Sequence, residues 1–154
     1  MSDSPLILKP ATDADAEYLY CLAEQTMRGY VEATWGEWHE GVTRASIAEE
    51  IAGGRVSLIW RDDTVVGMMS VDEQPTHIHL DKLYLAPEFQ NRGFGTQLLQ
   101  GLILRSKGQR KPLRLRVLAV NPAKRLHERL GFVVAGQTPE RYFMEHREPE
   151  ARSS

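Results

Sequence analysis

The chain has 154 residues, 42% of them hydrophobic and 26% charged, with a formal net charge of −2. That length suits one domain with its own core, and the near-neutral balance gives no overall pull toward nucleic acid. A single cysteine, Cys21, excludes a disulfide framework and any multi-cysteine metal site. No stretch reaches the roughly 20 apolar residues of a membrane span. "MSDSPLILKP" also lacks the basic start of a secretion signal, so a soluble cytoplasmic protein with no membrane partner is expected.

In chain order, "PLILK" is a short apolar run ended by Pro10 and predicts a strand. Thr12 and Asp13 offer an N-cap to "DAEYLYCLAEQTM", where Leu19, Leu22, Ala23 and Met27 fall at helical spacing. Cys21 lies near that stripe and is expected to pack. A polar and aromatic link follows, "RGYVEATWGEWHE". Thr43 then caps a second helix, "TRASIAEEIAGG", which Gly53 and Gly54 stop.

Two β-rich runs around "RDDT" predict a hairpin. "THIHLDKLYL" predicts a further strand, closed by Ala86-Pro87. The next helix carries Phe94, Leu98, Leu99, Leu102 and Ile103 on one face. "LRLRVLAV" alternates and then turns wholly apolar, as a central strand should. Asn121 caps and Pro122 starts a short helix bearing Ala123, Leu126 and Leu130, ended by Gly131. "FVVAG" and "RYFMEHR" close the set as an antiparallel pair. The order βα α βββ α β α ββ defines an α/β fold with a mixed, mostly antiparallel sheet and about four helices. Residues 1–148 are expected to form one domain and 149–154 a flexible polar tail.

The stretch "FQNRGFGTQLL" places two glycines where a helix begins, although each Gly costs about 1 kcal/mol there relative to Ala. Amides of a first helical turn, the positive end of the helix dipole and Arg92 would together suit a diphosphate. An ordinary glycine loop joining strand to helix is the other reading of these residues. A Walker loop is excluded, because Gly95 is followed by Thr96-Gln97. A dinucleotide fingerprint wants a third glycine where Leu98 stands.

"LYLAPEFQNRGFGTQLL" resembles motif A of the Gcn5-related N-acetyltransferases, Q/R-x-x-G-x-G/A, through Gln90, Gly93 and Gly95. "ILKPATDAD", "VVGMMSV" and "VLAVNPAKRLHERLGF" resemble the family's opening strand and helix start, its third strand and its motif B, over roughly residues 5 to 148. The resemblance implies acetyl-CoA as co-substrate, in a fold whose fourth and fifth strands splay around it. By that likeness the backbone of Leu83, Tyr84 and Leu85 would pair with the pantetheine arm. The stretch Gln90, Asn91, Arg92, Gly93, Phe94, Gly95 and Thr96 would hold the diphosphate, and Asn121 would meet the pantetheine.

Acetyl transfer to a primary amine needs a base, since an alkylamine is protonated at pH 7, and an acid for the leaving thiolate. Period-two counting along "THIHLDKLYL" puts His77, His79, Asp81, Leu83 and Leu85 on one face. His79 and Asp81 are therefore the candidate bases, His79 standing where relatives carry Glu or His. A solvated polar strand face is the alternative. Many family members have Tyr after the motif B leucine, as the acid; this chain departs with His127, the candidate here to donate a proton or hydrogen-bond the coenzyme sulfur, a passive pocket-lining residue being the other reading. The strand before Asn121 has no acid, unlike relatives that modify protein termini. Relatives bind the acceptor around the first link, where Glu32 and Trp35 are the candidates here for contacting a cationic amine. The acceptor is expected to be a small-molecule or peptide amine, and no metal is called for. Homodimers are common among such proteins, and this chain is a possible one. A catalytically weak acyl-CoA sensor and an O- or longer-chain acyltransferase remain as alternatives.

Overall fold

The computed structural model describes residues 4–147. Five short or amphipathic runs and two central apolar ones become seven strands: β1 (Leu6–Pro10), β2 (Val56–Arg61), β3 (Thr64–Glu73), β4 (Ile78–Leu85), β5 (Leu113–Leu118), β6 (Val133–Gln137) and β7 (Arg141–His146). Four helices join them: α1 (Ala16–Trp35), α2 (Glu40–Ala52), α3 (Phe94–Gly108) and α4 (Ala123–Arg129). The expected order of elements is the observed one. The expected tail, 149–154, lies outside the described residues.

One sheet runs β1-β2-β3-β4-β5-β7-β6, and β4 with β5 is its parallel pair. Two cores cover its faces. On the α3 and α4 side, Leu99 and Leu102 of α3 pack onto Ile59, Val66, Met69, Ile78, Leu80, Leu113, Leu115, Val117 and Met144. On the other face, Leu19 and Leu22 of α1 and Ile47 of α2 pack onto Val56, Leu58 and Met68. Each fully buried aliphatic side chain contributes about 1.5–3 kcal/mol, so the sheet is clamped on both sides. No described helix is long and apolar enough to cross a membrane.

Three expectations need correction. The first helix does not end near Met27. It continues through "RGYVEATW" to Trp35 and stops at Gly36, whose φ of 88° is the left-handed conformation glycine adopts readily. No proline or glycine pair interrupts that segment, and Thr34 folds its hydroxyl back onto the Tyr30 carbonyl at 2.7 Å. The second helix starts earlier than Thr43: its N-cap is His39, and the Thr43 hydroxyl donates to the His39 carbonyl at 3.0 Å. Cys21 does not pack; it is exposed, its Sγ 3.7 Å from the Glu17 carboxylate.

The strand β4 also departs from simple alternation. Ser70 pairs with Lys82 but Val71 with Leu80, which leaves Asp81 as the extra residue of a β-bulge. Ile78 and Leu80 before it, and Leu83 and Leu85 after it, all join the α3 side. His79 instead lies opposite Asp72. The expected common face of His77, His79, Asp81, Leu83 and Leu85 is therefore not formed, because counting back from Leu85 crosses the surplus residue.

Candidate active site

The parallel pairing of β4 and β5 covers only Ile78↔Leu113, His79↔Arg114 and Leu80↔Leu115. Beyond Leu80 and Leu115 both strands continue, to Leu85 and Leu118, without pairing to each other. They splay, and the gap opens a cavity of about 1190 Å³. It crosses the sheet. Gln25, Thr26 and Tyr30 of α1 line one end, and Gly93, Gly95, Thr96, Leu126 and His127 of the α3–α4 layer line the other.

At the α3 end the chain turns sharply. Asn91 and Gly93 have φ of 61° and 84°, and Gly93 is the N-cap. The first intrahelical bond runs from the Gln97 amide to the Gly93 carbonyl at 3.0 Å. The amides of Phe94, Gly95 and Thr96 therefore precede the helix's own bonding and point out of its N-terminus. Gly95 faces Leu126 and Leu85 at ordinary contact distances of 3.7 and 3.9 Å from a built Cβ. The left-handed Gly93 is the glycine that the turn requires.

The neighbouring side chains are partly committed elsewhere. Gln90 lines the cavity while its amide donates to the Leu85 carbonyl at 3.0 Å. Arg92 stacks over Phe89, and Phe94 lies under Arg61, so neither side chain lines the cavity. Asn121 lines it, with its Oδ1 accepting the Ala123 amide at 2.9 Å just ahead of α4, whose N-cap is Pro122. Leu83, Tyr84 and Leu85 line it along the open edge of β4.

Of the candidate bases, Asp81 lines the cavity and His79 does not. The two are joined, His79 Nδ1 to Asp81 Oδ1 at 2.9 Å. Burial would raise the Asp81 carboxyl, but the His79 hydrogen bond and the charges of His79, Lys82 and Arg55 hold it below the usual carboxylate range. An ionised Asp81 requires the proton on Nδ1, which leaves Nε2 as the basic atom of that imidazole. His127 lines the cavity, and burial lowers its pKa to about 4. It is neutral at pH 7. Its Nδ1 is buried without a hydrogen-bond partner, and its ring meets Phe132 edge-on at 5.7 Å.

The acceptor candidates fall differently. Neither Glu32 nor Trp35 lines the cavity. Both belong to α1 rather than to a loop, and Glu32 pairs with Arg28 at 3.5 Å. Trp35 does engage a cation, but it is the protein's own: the Arg141 guanidinium sits 5.1 Å from its ring centroid. Trp38 is a packing residue whose Nε1 donates to the Tyr20 hydroxyl at 2.8 Å. Sequence reasoning missed Arg116 and Arg141, and favoured Glu32 and Trp35 over Tyr30 of the same stretch; Tyr30, Arg116 and Arg141 all line the cavity. Alternation in "LRLRVL" carried a usable signal for Arg116. The placement of Arg141 depends on the β5–β7 register, which no local pattern encodes. Among the described residues, no three His, Cys, Asp or Glu side chains are grouped to hold a metal ion.

The family model described as an acetyltransferase (GNAT) domain matches residues 21–147. The chain belongs to the GNAT acetyltransferase family. An acetyltransferase from Thermus thermophilus has a similar fold, with a TM-score of 0.76 and 20% identity over 96% of this chain and 100% of that one. PaiA N-acetyltransferase from Thermoplasma acidophilum, solved with coenzyme A, gives 0.67 and 20% over 94% and 99%. Ard1 from Thermoplasma volcanium gives 0.69 and 17% over 94% and 99%. No curated protein sequence matches the chain significantly.

Proposed function

We propose that this protein is an acetyl-CoA-dependent N-acetyltransferase that acetylates a primary amine by direct attack in a ternary complex. The observation that carries the reading is the parting of β4 and β5 beyond Leu80 and Leu115, which joins the α3 N-terminus to the α1 side through one cavity. The residues present fit the coenzyme on three counts. The first-turn amides of α3 suit a diphosphate. The β4 edge from Leu83 to Leu85 has no β5 partner and can pair with an extended arm. The orphaned Nδ1 of His127 is a polar atom awaiting a partner. When bound, acetyl-CoA supplies the activated acyl group.

The chain's own residues prepare the amine. Asp81, kept ionised, holds the acceptor ammonium at the cavity wall and stabilises charge on His79. His79 Nε2 takes the proton through water, because the imidazole stands behind Asp81 rather than in the cavity. Neutral His127 and the Asn121 side-chain amide offer hydrogen bonds to the reacting group; His127 does not serve as a charged acid. The α1 residues and the strands hold the two substrates together, which supplies much of the acceleration.

Coenzyme A release from acetyl-CoA, measured with a panel of primary amines, tests this reading together with calorimetric coenzyme A binding. Release that depends on an amine is expected. His127, at the position where many family members carry the tyrosine acid, favours a second reading, an acyl-CoA sensor without turnover, and binding without release for any amine would select it. Absence of binding would refute both.

A further inference from the structure

Formal charge along the cavity wall is uneven. Its carboxylate is Asp81, hydrogen-bonded to His79, while Lys82, Arg116, Arg125, Arg129 and Arg141 supply cations. Lys82 is already paired with buried Glu50. The arginines divide between the two sides of the sheet. Arg125 and Arg129 belong to α4, whose Ala123, Leu126 and Leu130 pack on the α3 side, the same side as the diphosphate-type turn. Arg116 lies on the opposite side, because Leu113, Leu115 and Val117 of the same strand face α3.

Register sharpens the point. β5 pairs Arg114 with Glu145, and their side chains form an ion pair at 2.8 Å. Two residues on, Arg116 faces Phe143, and Leu118 faces Arg141. Arg116 and Arg141 are thus diagonal neighbours on one sheet face, with Cβ atoms roughly 7–8 Å apart. Neither has a carboxylate partner among the described residues. Arg141 is steadied by the Trp35 ring beneath it at 5.1 Å. Two adjacent guanidinium forks without acids, opening on the α1 end of a cavity, match an oxyanion far better than a polyamine.

We propose that the acceptor is an amine that also carries an acid group, carboxylate or phosphate, held by Arg116 and Arg141 while Asp81 takes its ammonium. This rests on the acetyl-transfer reading above and names the substrate class of that site. One carboxylate and two guanidiniums without acid partners on the same cavity wall favour zwitterionic amines and disfavour diamines, whose second cation would face both arginines.

Matched amines test it: lysine against 1,5-diaminopentane, β-alanine against propylamine, and 2-aminoethyl phosphate against ethanolamine. Each is titrated calorimetrically into the coenzyme A-saturated protein and assayed for thiol release with acetyl-CoA. At least one acid-bearing member is expected to outperform its acid-free counterpart tenfold or more in Kd or kcat/KM, and the three pairs separate carboxylate from phosphate. Arg116→Gln or Arg141→Gln should raise KM for the acid-bearing amine about 10- to 100-fold. KM for acetyl-CoA should stay within twofold, no acid-free amine should show a comparable rise in KM, 1,5-diaminopentane should improve, and Arg141→Lys should recover part of the loss. Equal or better performance by every acid-free member, or no binding of any acid-bearing one, overturns this inference while leaving acetyl transfer standing. Failure of coenzyme A itself to bind, read in the first titration, removes the transfer reading and this one with it.

Discussion

Gly67→Ala should loosen the strand pair that forms one wall of the cavity. Gly67 sits opposite Leu85 in the β3–β4 register. A methyl group built there lies 2.2 Å from the Tyr84 carbonyl oxygen and 3.1 Å from Leu85 Cα. Carbon–oxygen contacts settle at about 3.3 Å or more, so β4 must retreat by roughly 1 Å. The obstacle is backbone, which cannot rotate aside. Overpacking of this kind costs about 1–3 kcal/mol, and the backbone nature of the nearest obstacle puts this site toward the upper end. For a chain of this size that is a fall in Tm of about 2–12 °C. Gly101→Ala supplies the control, since it lies in α3 with nothing within 4 Å of a built Cβ. There alanine should stabilise by about 0.5–1 kcal/mol. Circular dichroism melts of the two variants should shift in opposite directions, and Gly67→Ala should also weaken coenzyme A binding. Equal shifts, or an unaltered melt for Gly67→Ala, would refute the reasoning.

Asp81→Asn should lower kcat for amine acetylation about 10²–10⁴-fold with a melt close to the parent's; a loss below threefold would remove Asp81 from the chemistry. Because burial holds the His127 imidazole down to about 4, the unfolded chain takes up a proton there before the folded one does. Stability from this site is intact above about pH 6.5 and lost as pH falls toward about 4, on the order of 1–3 kcal/mol in all. Urea midpoints at pH 7 and pH 4.5 should accordingly diverge less in His127→Asn than in the parent, and identical divergence would argue against a depressed imidazole. Lys82→Met should destabilise by about 3–5 kcal/mol, because it strands Glu50, only 6% exposed, without its cation. The double variant Lys82→Met/Glu50→Leu should regain most of the loss in chemical denaturation, and no recovery would show that packing rather than charge was at issue.

Local signals in the chain went furthest where chemistry is local. The glycine-bearing turn is legible because Gly93 needs a left-handed backbone and sits beside the start of an apolar helical stripe. The Asn121 turn ahead of α4 was legible for the same reason, since an Asx side chain reaches an amide two residues on, although the N-cap itself is Pro122. The end of α1 was not, because Arg28 to Trp35 contain nothing that forbids a helix and only Gly36 supplies a stop. Assigning that segment to a link carried Glu32 and Trp35 with it. The bulge in β4 was invisible because extra residues are defined by the partner strand's register, not by the strand's own pattern. Arg141 met its cavity through pairing with Leu118, more than twenty residues earlier. The proposed acceptor contacts thus depend on long-range register, whereas the proposed coenzyme contacts lie in consecutive residues.

The surplus residue in β4 has a consequence for what the strand can lose. With Asp81 excised, Leu80 would be followed by Lys82, and every remaining side chain would keep its present side, now in unbroken alternation. The pleat is complete without this carboxylate. A one-residue deletion at Asp81 should therefore leave the scaffold intact while silencing it, whereas the same cut at Leu83 would turn the outer half of the strand over.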